Sequence, residues 1–304
     1  MGLGTTHVTK ATAASFIPAI WSDEVIASFK KKLVMANLIK SMSFVGKKGD
    51  TLHIPAPTRG TASAKAASTQ VTLIAATESE RLININKHFE YSRLIEDIVE
   101  TQALASLRGF YTQDAGYALA RQIDTDLIQL ARSVNGGAGT NVYANAFSGA
   151  DGVTAYVAGA NTGLGAITDV ALRRSIQRLD DADVPMEDRF LVVPPSSMNA
   201  LRGTARFTEQ AFIGAGTAIK TGNMGDLYGT PVYVTTNTDV TSGTTAARIA
   251  ILGHKDFAVL AMQKEVRSQT QYKQEYLGNL FTADVLYGLG ELRDDACVVL
   301  AVPA

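Results

Sequence analysis

Leu52 and Ile54 alternate with polar neighbours in Gly49-Asp50-Thr51-Leu52-His53-Ile54-Pro55, the period of two that marks a β-strand. Ile83, Ile85, Phe89 and Tyr91 share one face across residues 81–91, with Lys87 interrupting it. Between these runs lies a stretch of small and polar residues, 58–70, with almost nothing to bury. The pattern predicts a long β-hairpin. A two-stranded ribbon is marginal in water, so its aliphatic face needs a cover from the rest of the chain or from another copy.

Helical spacing appears on both sides of the hairpin. Residues 1–20 read as an extended arm. Ser22 then caps a helix in which Val25, Phe29 and Leu33 recur every four residues, with Asp23 and Glu24 at its positive start. Trp21 stands just before the cap, where it can pin the arm. A second helical pattern runs from Ile95 to Val134 through Leu104, Leu107, Tyr111, Ala115, Leu119, Ile123, Leu127 and Leu130. At 1.5 Å per residue it would span roughly 50–60 Å. It stops at the breaker Asn135-Gly136-Gly137-Ala138-Gly139.

The remainder alternates. A helix over 168–183 carries Leu172, Ile176 and Leu179 on one face, and a strand over 189–193 ends at Pro194-Pro195 before a short helix over 197–201. Further strands are predicted over 229–235, 248–252, 257–261, 266–272, 284–287 and 297–302. No internal repeat is visible. The predicted class is mixed α+β.

Composition narrows the function. The 304 residues are 46% hydrophobic and 19% charged, an ordinary globular balance. A formal net charge of −1 creates no overall field toward nucleic acid or membrane. Apolar runs are too short for a transmembrane helix, and no secretory signal is visible. Met1-Gly2-Leu3-Gly4-Thr5-Thr6 fits the loose myristoylation pattern, but no basic cluster beside it supplies a second membrane signal, so it is read as coincidence. Cys297, the single cysteine, lies in an apolar run and reads as a buried strand residue.

Chemical motifs are sparse. No phosphate loop, His-Glu-x-x-His, Gly-x-Ser-x-Gly or Cys-x-x-Cys occurs. Gly163-Leu164-Gly165 lacks the third glycine of a dinucleotide loop. His7, His53, His88 and His254 are scattered, in surface or half-buried positions, without metal-ligand spacing. Asp180, Asp181 and Asp183 read as a solvated acidic turn, and Lys30-Lys31-Lys32 as a solvated helix face. No catalytic residue, cofactor or metal ligand is assigned, and the chain is read as a non-enzyme.

The order of elements resembles the tailed-bacteriophage major capsid proteins, the Hong Kong 97-like fold. The residues that carry the resemblance are Trp21-Ser22-Asp23-Glu24-Val25 with Leu33, Gly49 to Pro55, and Gly225-Asp226-Leu227-Tyr228-Gly229-Thr230-Pro231-Val232. Gly253-His254-Lys255-Asp256-Phe257-Ala258-Val259 and Tyr287-Gly288-Leu289-Gly290-Glu291-Leu292-Arg293 complete the set, which covers nearly the whole chain.

The resemblance implies an arm and helix over 1–43, an extended hairpin loop over 44–92 and a peripheral domain with a spine helix over 93–150. An axial domain over 151–253 and returning peripheral strands over 254–304 follow. It implies that the hairpin lies on a neighbouring subunit, with Trp21, Leu52, Ile54, Arg59, Lys65, Ile83 and Ile85 as inter-subunit contacts. Pentamers and hexamers in an icosahedral shell around a double-stranded DNA genome are expected, with non-specific DNA contact, a portal protein and no membrane. Assembly is expected in the host bacterial cytoplasm, and the mature location is the virion capsid. No long charged helical segment precedes the arm, so a separate scaffolding protein is expected. The alternative is an encapsulin-type bacterial compartment shell enclosing cargo enzymes. Some family members are locked by a lysine–asparagine isopeptide bond. Lys65 is the candidate, but its Ala, Ser and Thr neighbours promise no dry pocket, and non-covalent shells are expected.

Overall fold

Thirteen strands among the described residues form three sheets, and a long helix backs one of them. The computed structural model describes residues 33–45, 48–57, 60–71, 73, 78–98, 107–136, 143, 146–157, 163–204, 225–241 and 247–304. The expected arm, the helix from Ser22 and the Lys30-Lys31-Lys32 face lie outside these residues, as do Trp21, Arg59 and His7.

The first sheet runs β1 (Lys40–Ser43), β11 (Ala258–Lys273), β12 (Gly278–Glu291), β4 (Lys87–Glu96). β11 and β12 form a long antiparallel hairpin, with β1 parallel on one edge and β4 antiparallel on the other. A short helix α1 (Met35–Leu38) precedes β1, and helix α2 (Leu107–Leu130) packs across β4 and β12. Its buried Ala115, Leu119, Ile123 and Leu127 recur every four residues, which places them on one stripe. Asp126 fixes the helix to the sheet by accepting the Tyr287 hydroxyl and the Lys87 ammonium, both at 2.8 Å. The Phe89 and Tyr287 rings stack beneath, 6.0 Å apart.

The second sheet runs β5 (Phe147–Ser148), β13 (Cys297–Pro303), β10 (Ala247–His254), β6 (Arg189–Val193), β8 (Thr230–Val234), β7 (Asp226–Leu227), with β9 (Val240–Thr241) also on β10. Every residue of β6 is buried, as are the first six of β13. Continuous apolar strands of this kind need cover on both faces. Helix α3 (Asp169–Asp181) supplies cover through Ala171, Leu172 and Leu179, and Thr168 caps it by accepting from the Ala171 amide at 3.2 Å. Pro194 and Pro195 stop β6 and start α4 (Pro195–Arg202), a crossover to the parallel strand β8. Cys297 is buried, and burial pushes its thiol well up.

The third sheet is the two-stranded ribbon of β2 (Thr51–Pro57) and β3 (Glu78–Asn84), paired from Thr51↔Asn84 to Pro57↔Glu78.

Several expectations are corrected. The long helix was expected to begin at Ile95, but Ile95 is 6% exposed within β4, whose ladder with β12 runs out to Glu96↔Gly278. The described helix has 24 residues, about 36 Å at 1.5 Å each, and tightens into a 3-10 turn over Ala131–Gly136. The expected strand over 81–91 is two strands in different sheets, broken at Ile85 and Asn86. The expected strands over 257–261 and 266–272 are one strand, β11, with register shifts between Met262 and Lys264 and between Lys264 and Arg267.

β13 sits between β5 and β10 in the seven-stranded sheet, pairing from Ala247↔Pro303 to Gly253↔Cys297. His254 is buried rather than half-exposed, and its Nδ1 accepts from the Asp256 amide at 3.1 Å. The acidic turn is not simply solvated, because Asp180 accepts from the buried Arg189 guanidinium at 2.7 Å.

Candidate assembly surfaces

Among the described residues, the ribbon meets the rest of the chain at its base. Ile83 is 1% exposed and packs with Val259 and Ala261, flanked by Met42, Phe44, Leu52, Ile54 and Leu292. Burying one such side chain stabilises by about 2 kcal/mol. β3 can approach β12 this closely because Gly288 and Gly290 present no side chain beneath it. The Gln263 Nε2 donates to the Gly49 carbonyl at 2.8 Å, and Arg81 pairs with Asp294 at 3.6 Å. The Ile85 amide closes the ribbon on the Asp50 carbonyl at 2.7 Å.

This placement corrects one expected contact. Ile83 was expected to be covered by another subunit, but its own chain covers it, because the long β11–β12 hairpin passes under the ribbon. Leu52, Ile54 and Ile85 are half-buried in the same region. Lys65 stands apart from them, on a stretch where residues 60–71 are all exposed.

Two exposed apolar surfaces were not singled out from the sequence. Leu73 is 90% exposed and Val71 63% exposed on the returning limb of the excursion. The far end of the β11–β12 hairpin carries Tyr272, Tyr276 and Leu277. There the Asp97 amide donates to the Leu277 carbonyl at 3.0 Å and the Tyr272 hydroxyl to Asp97 at 2.8 Å, which brings Ile98 alongside. The pattern of the chain gives such residues no distinguishing mark, since exposed apolar side chains are common on folded proteins.

Two carboxylates on β12 have shifted protonation. Asp284 accepts from Lys264 at 2.6 Å, with Arg267 at 3.2 Å and His88 at 3.3 Å. The Lys264 bond chiefly holds the carboxyl down at about 2. Glu291, at the end of β12, has one oxygen near Ser133 at 3.3 Å and the other buried without a partner. Burial, with Asp294 nearby, pushes its carboxyl up to about 7. His53 pairs with Glu80 across the ribbon at 2.8 Å. Among the described residues no cluster of His, Cys, Asp or Glu is placed to hold a metal ion. No described helix is long and apolar enough to cross a membrane.

A family model described as phage capsid protein matches residues 40–291. A search of curated protein sequences finds no match. Among solved structures, a chain from Mycobacterium phage Che8 is similar at TM-score 0.75 and 22% identity, over 94% of this chain and 97% of that one. A chain from the capsid of the cyanophage P-SCSP1u is similar at TM-score 0.75 and 17% identity, over 99% of this chain and 97% of that one. One from the mature capsid of bacteriophage PhiM1 is similar at TM-score 0.72 and 14% identity, over 94% and 92%.

Proposed function

The chain belongs to the phage capsid protein family and carries the Hong Kong 97-like fold, and from that premise we propose how it joins its neighbours. It is a major capsid subunit, and a structural role in the virion shell follows from membership. The encapsulin alternative is not better supported by the family or by these structures.

The ribbon is the reaching element. The observation that carries this reading is the exposed excursion, where residues 60–71 bury no side chain and Leu73 is 90% exposed. An apolar limb held in water favours a cover, and another copy of the subunit supplies it. The distal apolar end of the β11–β12 hairpin is a second contact. Leu52, Ile54, Lys65 and Ile85 are the sequence-derived residues that stay available or half-available to a neighbour, with Trp21 and Arg59 proposed from sequence alone.

The four-stranded sheet with α2 forms the peripheral domain, and the seven-stranded sheet, β13 included, forms the axial domain around the pentamer and hexamer axes. The shell is icosahedral and encloses a double-stranded DNA genome, with non-specific DNA contact. Assembly takes place in the host bacterial cytoplasm, with a separate scaffolding protein and a portal. The test is sedimentation and electron microscopy of purified protein, with scaffold where needed. Closed shells are expected. A monomer or dimer that persists at all concentrations with the cognate scaffold would sink the reading.

A further inference from the structure

The ribbon rests on a two-glycine notch. On β12 a Cβ at Gly290 would lie 2.4 Å from Ile83 Cγ1 and 3.0 Å from its Cδ1. One at Gly288 would lie 2.6 Å from the Asn84 carbonyl oxygen and 3.0 Å from Ile85 Cα. Neither glycine has a positive φ, so backbone conformation does not require it. Both stand opposite buried partners on β11, Gly290 against Val259 and Gly288 against Ala261. The absence of a side chain serves only to let β3 lie on β12.

The remaining anchors are close by. Gln263 holds Gly49, and Arg81 holds Asp294. From the notch the paired ribbon runs from Leu52↔Ile83 to Pro57↔Glu78, and residues 60–71 are fully exposed. The five residue steps from Leu52 to Pro57 span about 17 Å, so a tilt of about 10° at the notch moves the end by about 3 Å. A shift of this size is enough to misplace a docked side chain.

We propose that Gly288 and Gly290 are the fulcrum that sets the angle of the β2–β3 ribbon, and that this angle determines which shell the subunits can close. The proposal rests on the reading of the ribbon as a contact with a second copy of the chain. The two glycines differ in a testable way. The obstacle to a side chain at Gly290 is the Ile83 side chain, whereas at Gly288 it is backbone. Truncating Ile83 therefore makes room for Gly290→Ala and not for Gly288→Ala.

The experiment measures angle and assembly together. Spin labels at Ser79→Cys, on the far part of the ribbon, and Arg173→Cys, on α3, report the ribbon angle in dissociated subunits. Both positions are exposed and the native Cys297 is buried, so it stays unlabelled. Gly290→Ala is expected to shift the label distance by several ångströms and to abolish wild-type-sized shells in sedimentation. Adding Ile83→Ala is expected to restore both, and Gly288→Ala is expected to stay altered with or without Ile83→Ala. An unchanged distance or wild-type shells for Gly290→Ala, or no restoration in the double variant, overturns the fulcrum. If Gly290→Ala does not fold, the double variant decides: wild-type distance and shell size support the proposal, and a shifted distance or altered shells overturn it. Wild-type protein that forms no shells counts against the assembly reading, and the label distances then still decide the fulcrum.

Discussion

The Asp124 carboxylate accepts the Asn237 carboxamide at 2.9 Å, joining α2 to the loop between β8 and β9. Its other oxygen accepts the Val34 and Met35 amides at 3.0 and 2.8 Å, where the described chain enters. One fully buried side chain thus holds the chain entry, the long helix and the seven-stranded sheet together. Asp124→Ala leaves three donors without that acceptor, and each orphaned buried donor costs about 1–3 kcal/mol. With partial relaxation the total loss is expected near 3 kcal/mol. Asp124→Asn, which keeps one acceptor oxygen, is expected to lose less. Urea unfolding of dissociated subunits measures both, and equal stability of Asp124→Ala and the native protein would refute the three-way role.

The ionisation of Glu291 gives a pH dependence whose sign is determined. Its carboxyl is raised in the folded chain from 4.5 to about 7, first by burial and then by Asp294. Below pH 4.5 the group is neutral in both folded and unfolded chains and contributes no difference. Between pH 4.5 and 7 the folded chain binds more protons, so stability falls as pH rises, and the full penalty remains above pH 7. Glu291→Gln keeps an acceptor for Ser133 and cannot ionise. Its stability relative to the native protein is expected to grow across that window, read as urea midpoints at successive pH values. A constant difference from pH 4 to 8 would show that Glu291 titrates normally.

Parts of this molecule were legible because the signal was local. The β6 run Arg189 to Val193 is apolar beyond its first residue and ends at two prolines, and the structure places its strand there. Ala115, Leu119, Ile123 and Leu127 declared the helix stripe through spacing alone. Ile95 misled because an isoleucine in phase with a following helix also fits the end of a strand, and the ladder to β12 decides between them. For Ile83 the alternation identified a buried face but not its cover, since Val259 and Ala261 lie far along the chain. Gly288 and Gly290 lie beyond the strand predicted over 284–287, and nothing local said that the ribbon packs against them. The distal cluster of Tyr276 and Leu277 depends on a left-handed Leu277, with φ 45°, which no periodicity foretells.

The exposed excursion separates folding from assembly. Residues 60–70 contribute no buried side chain, so replacing them with a short Gly-rich turn is expected to change subunit stability by less than about 1 kcal/mol. The same variant is expected to lose shells, because the contact proposed for the excursion is with another copy. Circular dichroism and urea unfolding read the first effect, and sedimentation reads the second. Unfolded subunits would mean that the excursion supports the core, while normal shells would mean that it is dispensable for assembly.

Covalent locking is the last outcome that the excursion decides. An isopeptide bond forms when a neutral lysine amine attacks an asparagine carboxamide and ammonia leaves, with a carboxylate taking the proton. Burial is what keeps a lysine amine neutral at ordinary pH. Lys65 has none from its own chain, since every residue from 60 to 71 is exposed. Its neighbours are Ala64 and Ala66, with Ser63 and Ala67 beyond, which offer neither a dry wall nor a proton acceptor. A neighbouring subunit would have to bring the whole pocket. Mature particles boiled in denaturant are therefore expected to run as one band near the 32.3 kDa chain mass. A ladder of multimers would reverse this, and its disappearance in Lys65→Arg would assign the bond to Lys65.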